Sequence, residues 1–275
     1  MRLLSGTSGF SYGEWRGTFY PGDLPDTGML GYYSGRLDTV EINNTFYQMP
    51  KPALLERWRD LVPPEFCFAL KAPRRITHLQ RLSGSAESVE LFLNAASVLG
   101  ARLGPVLFQL PPFAKKDTTL LREFLTLLPP SLDVAFEFRH PSWFDDETYQ
   151  VLSERRAALC AGDSDESDRS PPFVKTADFG YLRLRAPSYD EAGIRSWHER
   201  IGAAGLERAY VYLKHEVLGP IYAEHLKRLS RGEDPGPLPP PPAPQPSKPK
   251  KRAARASKAP DAPDAPRAKK ARKKG

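Results

Sequence analysis

The stretch that decides the fold runs from Val106 to Phe138 and reads VLFQLPPFAKKDTTLLREFLTLLPPSLDVAFEF. It begins and ends with a short, almost continuously apolar run, which is typical of a buried strand. Between the two runs, Asp117 is suited to cap a helix and Pro129 to end it. The apolar residues of that helix recur at helical spacing: Leu121, Phe124, Leu125 and Leu128. The stretch therefore predicts one β-α-β unit with parallel strands.

The same alternation extends in both directions along the chain. Strand-like runs occur at 3–7, 39–43, 66–71, 106–110, 134–138, 157–161, 181–185 and 209–214. Helical patterns separate most of them, but the polar segment 163–178 has none, so the sixth unit is expected to be irregular. Eight repeats predict an α/β fold of the (β/α)₈ TIM-barrel type. A doubly wound open sheet is the alternative.

The composition changes abruptly after Arg231 and Gly232, which mark the predicted end of the barrel domain, 1–232. Nine prolines in 235–249 predict an extended linker over 233–249. A tail rich in lysine, arginine, alanine and proline follows at 250–275 and is expected to be disordered, because it has too few apolar groups to offset the entropy of ordering. From Pro235 onward 12 Lys and Arg face 2 Asp, a net charge of +10, whereas residues 1–234 carry a net of −3.

Several classes of protein are excluded by what the sequence lacks. Cys67 and Cys160 lie in apolar runs without CxxC spacing, which predicts buried free thiols rather than a disulfide framework. No signal peptide precedes the first strand, and no apolar run is long enough to span a bilayer. These features predict a soluble cytoplasmic protein with no membrane partner.

Polar residues gather where the predicted strands end, which is where a barrel carries its active site. They are Glu41, Asn43, Asn44, Lys71, Gln109, Glu137, Arg139, His140, Asp163, Arg183, Arg185, Lys214 and His215. Because side chains alternate along a strand, Glu41 should share one face with Asn43, and Glu137 with Arg139. If Val40 faces the helices, the charged residues face the barrel axis. Such a cluster is either a structural ion-pair network or a functional site.

The functional interpretation assigns roles within this cluster. Glu41, Glu137, Lys71 and Asp163 are the predicted catalytic residues, with Glu41 or Glu137 as a general base whose pKa is raised if its carboxyl group is poorly solvated. The predicted substrate-binding residues are Asn43, Asn44, Gln109, Arg139, His140, Trp143, Arg183, Arg185, Lys214 and His215. The basic members suit phosphate or carboxylate groups. The first hypothesis is therefore an enzyme, of hydrolase or isomerase type, acting on a small phosphorylated or polyhydroxylated substrate.

A divalent metal is a further hypothesis, and any other cofactor is unknown. Glu41, Glu137, Asp163 and His215 end four different strands and are ligand types that such an ion accepts. The sequence contains no HxH, HxxxH or DxH pattern of the kind that is typical of a metal site. His78 and His140 are additional candidates nearby.

The sequence resembles the YecE-like family, TIM-barrel proteins that carry domain of unknown function 72. The segments that carry the resemblance lie within residues 3–231, in the family's order: 6–21, 39–47, 68–73 with 76–78, 103–112, 135–143 and 181–185. Some members end the eighth strand with two asparagines, where this chain has Lys214 and His215. The resemblance implies the barrel and supplies no reaction.

The second hypothesis is a nucleic-acid-associated protein, with the barrel as a passenger or a nuclease-like domain. The cations of residues 248–275 would bind phosphate backbones weakly and without sequence preference. A merely solubilising tail is the alternative. The third hypothesis, a non-catalytic scaffold, treats the charged cluster as structural.

Overall fold

The computed structural model describes residues 1–163 and 171–240, and its centre is a closed barrel of eight parallel strands. The strands are β1 (Arg2–Ser8), β2 (Thr39–Ile42), β3 (Cys67–Lys71), β4 (Leu103–Gln109), β5 (Val134–Glu137), β6 (Ala158–Gly162), β7 (Phe179–Leu184) and β8 (Arg208–Leu213). The register of β1 against β8 pairs Arg2 with Arg208 and Thr7 with Leu213, which closes the sheet. The predicted TIM barrel is confirmed, and an open doubly wound sheet is ruled out.

Apart from one short helix at the mouth, the helices cover the outside of the barrel. They are α1 (Met29–Ser34), α2 (Asn44–Tyr47), α3 (Pro52–Leu61), α4 (Ala86–Ala96), α5 (Thr118–Thr126), α6 (Asp146–Glu154), α7 (Glu191–Ala203) and α8 (Gly219–Ser230). The predicted cap of α5 is confirmed, because Asp117 Oδ1 accepts a hydrogen bond from the Leu120 N–H at 2.9 Å. Between β6 and β7, residues 171–178 form no helix, and 164–170 lie outside the described residues. No helix in the described part of the chain is long and apolar enough to cross a membrane.

The barrel interior is filled by one face of every strand. Alanines of β3, β5 and β6 lie opposite large tyrosines of β7 and β8, so small and large side chains together occupy the space. The inner cluster comprises Leu4, Ala69, Leu107, Ala135, Ala158, Cys160, Ala177, Phe179, Tyr181, Tyr210 and Tyr212. Val40, Ile42 and Phe138 pack instead in the outer core, which includes the apolar helix faces. The predicted alternation is confirmed, and it leaves Glu41 and Glu137 facing the axis.

Two further predictions concern the cysteines and the end of the barrel domain. Both cysteines are free, but only Cys160 is fully buried, since Cys67 lies at the partly exposed start of β3. The compact unit continues past Gly232 as far as the described residues reach. Leu238 packs against the outer core, and its N–H lies 3.3 Å from Glu191 Oε1. The remainder of the predicted linker and the whole predicted tail lie outside the described residues.

Candidate functional site

The carboxyl ends of the strands form a layer of polar side chains that closes the apolar interior. Its inward-facing members are Ser8, Glu41, Lys71, Gln109, Glu137 and Arg183, each from a different strand, and all are buried. The matching position on β6 is Gly162, where a Cβ atom would lie 2.0 Å from the Arg183 carbonyl oxygen. A side chain is therefore excluded there by the close approach of β7.

Arg183 is the centre of this layer. One guanidinium nitrogen, Nη2, donates to Glu41 Oε1 at 2.8 Å, and the other, Nη1, donates to Glu137 Oε2 at 2.6 Å. The planar fork of arginine thus joins a carboxylate of β2 to a carboxylate of β5 across the barrel. Arg183 is 6% exposed, so this pairing is shielded from solvent.

The remaining acceptor positions of the two carboxylates are also occupied. Glu41 accepts from Ser8 Oγ at 2.7 Å, Asn43 Nδ2 at 3.0 Å and Tyr181 Oη at 2.8 Å. Glu137 accepts from Gln109 Nε2 at 2.7 Å and from Arg185 Nη2 at 3.0 and 3.1 Å. Both groups are therefore held in place by several hydrogen bonds, as a buried charge requires.

This environment contradicts the prediction of a raised pKa at either glutamate. Burial alone would raise the pKa of Glu41 and of Glu137, but the Arg183 charge and the hydrogen bonds hold both pKa values below the ordinary one. Arg185 and Arg139 lower the pKa of Glu137 further. Two carboxylates that are ionised and fully engaged by donors are poor general bases at neutral pH. The prediction of a raised pKa was wrong because it considered the burial of the glutamates but not their pairing with Arg183.

Lys71 is the group in this layer whose protonation changes nearest to neutral pH. Its ammonium lies 4.1 Å from the centre of the Phe46 ring and forms no hydrogen bond or ion pair with any described residue. Burial, followed by repulsion from Arg183, lowers the pKa of Lys71 to about 8. A lysine with such a pKa can both accept and give a proton under physiological conditions.

Positive charge exceeds negative charge at the mouth. Four basic side chains surround the two glutamates: Lys71, Arg139, Arg183 and Arg185. With Lys71 protonated, the six groups carry a net charge of +2. Arg139 is the most open of them, with 42% of its side chain exposed and Nε 3.5 Å from Glu137 Oε1. The arrangement suits an anionic group approaching from solvent.

Asp163 does not join this layer, although the sequence predicted a catalytic role for it. Its Oδ1 accepts from the N–H groups of Arg185 and Ala186 at 2.6 and 3.2 Å and from Tyr189 Oη at 2.7 Å. Its Oδ2 accepts from Trp197 Nε1 at 3.1 Å. The carboxylate therefore fastens the end of β7 and the loop after it to α7.

Three further predicted residues stabilise loops instead of lining the mouth. Trp143 is 3% exposed and stacks on Phe138 with ring centroids 4.3 Å apart, so it offers no free face to a substrate. His140 Nδ1 hydrogen-bonds to Ser142 Oγ at 2.7 Å. His215 Nδ1 accepts from the N–H groups of the two residues before α8, at 3.1 and 2.9 Å. Each ring is therefore engaged in local structure.

Asn44 and Lys214 are both exposed at strand ends. Asn44 is the first residue of α2 and directly follows Asn43, whose side chain donates to Glu41. The backbone N–H of Lys214 donates to the Leu184 carbonyl at 2.9 Å and continues the pairing of β7 with β8.

The predicted metal ligands are not brought together. Glu41 and Glu137 are bridged by Arg183, Asp163 contacts α7, and His215 caps α8. Over residues 1–163 and 171–240, no three His, Cys, Asp or Glu side chains are placed to hold one ion.

Comparison with known proteins identifies the family. The family model described as "Protein of unknown function DUF72" matches residues 4–247. The chain belongs to the DUF72 family. The resemblance to the YecE-like proteins is thereby confirmed.

Relatives of this DUF72 protein occur in several bacteria. It is 35% identical to the UPF0759 protein YecE of Escherichia coli (strain K12) over 42% of this chain, and that match spans less than half, 43%, of YecE. It is 30% identical to the UPF0759 protein YunF of Bacillus subtilis over 78% of this chain and 80% of YunF. The crystal structure of a DUF72 family protein from Thermotoga maritima is similar with a TM-score of 0.74 at 26% identity, covering 84% of this chain and 100% of that one.

Ser8 and Tyr181 belong to the polar layer of this DUF72 barrel, and the sequence analysis did not include them. Both donate to Glu41, and Tyr181 does so across the barrel from β7. The alternation of side chains along a strand could have identified Tyr181, because it lies two positions before Arg183 and therefore on the same face of β7. Ser8 ends β1 and its register partner on β2 is Glu41.

Proposed function

We propose that this DUF72 protein is an enzyme that binds a small phosphorylated or polyhydroxylated substrate at the carboxyl-end mouth of its barrel. The observation that carries the proposal is the mouth around Arg183, where four basic side chains surround two carboxylates and Lys71 has no carboxylate partner among the described residues. A purely structural network gains little from a buried cation left without a counter-ion. Barrel enzymes carry their chemistry at this end.

The roles follow from exposure and pairing. Arg139 and Arg185 face the opening and would hold the anionic group of the substrate, since arginine binds phosphate or carboxylate at two points. Lys71 would exchange a proton with the reacting part of the substrate. Glu41 and Glu137 would keep Arg183 in position and balance its charge.

Ligand binding to an Arg139→Gln variant tests this proposal. We expect one or more sugar phosphates or nucleotides to raise the melting temperature of the wild type and to bind measurably in titration calorimetry. Loss of a charge-assisted hydrogen bond, worth about 1.5–3 kcal/mol, should weaken binding in Arg139→Gln about 10- to 100-fold. Arg122→Gln is the matched control, because Arg122 pairs with Glu154 on the helical surface. A variant that binds as well as the wild type, or a panel without any ligand, would favour the scaffold hypothesis.

A second function is favoured by the separation of charge along the chain. The net charge of +10 after Pro235, next to a body of −3, supports weak nucleic-acid binding through residues 248–275. Full-length protein should bind single- and double-stranded DNA alike. Affinity should fall about 10³-fold between roughly 50 and 200 mM salt if about six cations contact phosphates. A chain ending at residue 240 should not bind. Equal binding by the shortened chain would place the contacts on the barrel instead.

A further inference from the structure

We propose that Lys71 forms a covalent iminium with the carbonyl carbon of its substrate, and that the substrate is a small oxo acid or sugar phosphate. The inference rests on the proposed function, because it assigns a substrate class to the same mouth. It follows from three features of the site: a buried amine without a hydrogen-bond or ion-pair partner among the described residues, basic side chains at the opening, and a histidine that contacts the same aromatic ring as the amine.

The amine is placed for nucleophilic attack rather than for charge pairing. Lys71 ends β3 inside the mouth, with Thr45 Oγ1 donating to its carbonyl at 2.7 Å and Phe46 beneath its ammonium. Glu41 and Glu137 are nearby but are engaged by Arg183 and by neutral donors. Nothing among the described residues therefore ties Lys71 Nζ to a fixed partner. Burial without a partner also favours the neutral amine, which is the reactive form.

The chemistry balances without an oxidant or a metal. The Nζ lone pair adds to the carbonyl carbon, and the π electrons of the C=O bond move to oxygen. Transfer of a proton from nitrogen to that oxygen gives a carbinolamine. A second proton then lets the hydroxyl leave as water, and a C=N⁺ bond forms. In sum, one ammonium and one carbonyl compound yield one iminium ion and one water, so the site keeps a single positive charge at Nζ.

His78, which contacts the same aromatic ring as Lys71, is the group to which we assign the transfer of these protons. Its ring centre lies 4.9 Å from that of Phe46, the ring that also contacts Lys71. Its Nδ1 hydrogen-bonds to Thr77 Oγ1 at 3.0 Å, which fixes the ring. Burial and the positive charges of Lys71 and Arg139 lower the pKa of His78, which favours the neutral imidazole, the form that can accept a proton.

The substrate class follows from what surrounds the amine. Arg139 and Arg185 are the partly exposed cations at the opening and match a carboxylate or phosphate. A compound that fills both positions carries a carbonyl group and an anionic group a short distance apart. Small oxo acids and ketose or aldose phosphates have this arrangement.

Reductive trapping on the full-length protein tests the inference. Pyruvate, dihydroxyacetone phosphate and pyridoxal phosphate are the probes, each incubated with sodium cyanoborohydride and followed by peptide mass mapping. We expect at least one probe to add its own mass less one oxygen atom to Lys71 in preference to all other lysines. Lys71→Arg and Lys71→Met should abolish that adduct. Lys115→Arg, which changes an exposed lysine of the loop after β4, should retain it.

The outcomes separate this inference from the proposed function. Glycerol 3-phosphate has no carbonyl group, so its binding in calorimetry reports anion recognition alone. Binding of glycerol 3-phosphate, with Lys71 modified no more than Lys115 by every probe, would overturn the iminium and leave the anion site intact. Failure of both binding and trapping would overturn both proposals. An adduct at Lys71 that persists after Arg139→Gln would contradict the assigned anion recognition.

Discussion

Replacing Lys71 with methionine is expected to stabilise the protein at neutral pH while abolishing the function of the mouth. Methionine keeps the length and apolar stem of lysine and removes the charge. The pKa of Lys71 falls from 10.5 to about 8 on folding, which corresponds to a cost of about 3 kcal/mol for keeping the ammonium in this site. Removing the ammonium should therefore raise the free energy of unfolding by up to about that amount. Gains of stability with loss of activity mark residues kept for function.

The stability difference between Lys71→Met and the wild type should depend on pH. A lysine whose folded pKa lies below its unfolded pKa destabilises the folded state fully below the folded value, near pH 8. The cost then declines as pH rises toward 10.5, where both states are neutral. The stability difference between Lys71→Met and wild type should thus be largest at pH 7 and shrink between pH 8 and 10.5. Urea denaturation at several pH values measures it.

A matched control separates this effect from general loss of a surface charge. Lys115→Met removes an exposed lysine from the loop after β4 and should change stability by less than about 0.5 kcal/mol at every pH. If Lys71→Met is destabilised, or if its difference from wild type does not vary with pH, then Lys71 is an ordinary structural cation. The assignment of a functional amine would then fail.

Local periodicity was sufficient to predict the barrel and part of its mouth. The alternation of apolar and polar residues in β2 and β5 identified Glu41 and Glu137 as inward-facing, and both lie there. The same rule explains the error at Asp163. Gly162 occupies the inward position that ends β6, so the next residue points to the opposite side and reaches Trp197 on α7.

The sequence did not show which residues remote from one another along the chain lie close together in the fold. Arg183 lies 142 positions after Glu41, and only the closed barrel brings the two within 2.8 Å. Burial alone would raise the pKa of Glu41, but the contact with Arg183 contributes to lowering it. His140 and His215 show a second limit. Their rings accept hydrogen bonds from backbone N–H groups two or three positions later, which depends on loop geometry rather than on residue type.

Replacing Arg183 with methionine is expected to be the most destabilising single change in the mouth. It would leave Glu41 and Glu137 buried without their central counter-ion, and breaking a buried pair in this way costs about 3–5 kcal/mol. Arg139→Met is the matched control, since its longer contact to Glu137 and its exposure predict a loss below about 1 kcal/mol. Urea denaturation at pH 7 should show the two losses to be clearly different.

The pH dependence of Arg183→Met should have the opposite sign to that of the wild type. In the wild type the lowered pKa values of Glu41 and Glu137 contribute stability above the ordinary value of 4.5, and this is lost as pH falls through the folded values. Without Arg183, burial dominates and raises both pKa values, so the variant loses stability as pH rises above 4.5. Acidification from pH 7 to 5 should therefore stabilise the variant.

Adding Glu41→Gln and Glu137→Gln to Arg183→Met should recover part of the stability lost at pH 7, because the buried carboxylates are then replaced by neutral amides. A variant that loses less than about 1 kcal/mol, with the pH slope of the wild type, would show that the carboxylates find other compensation, and the central role of Arg183 in the layer would be disproved.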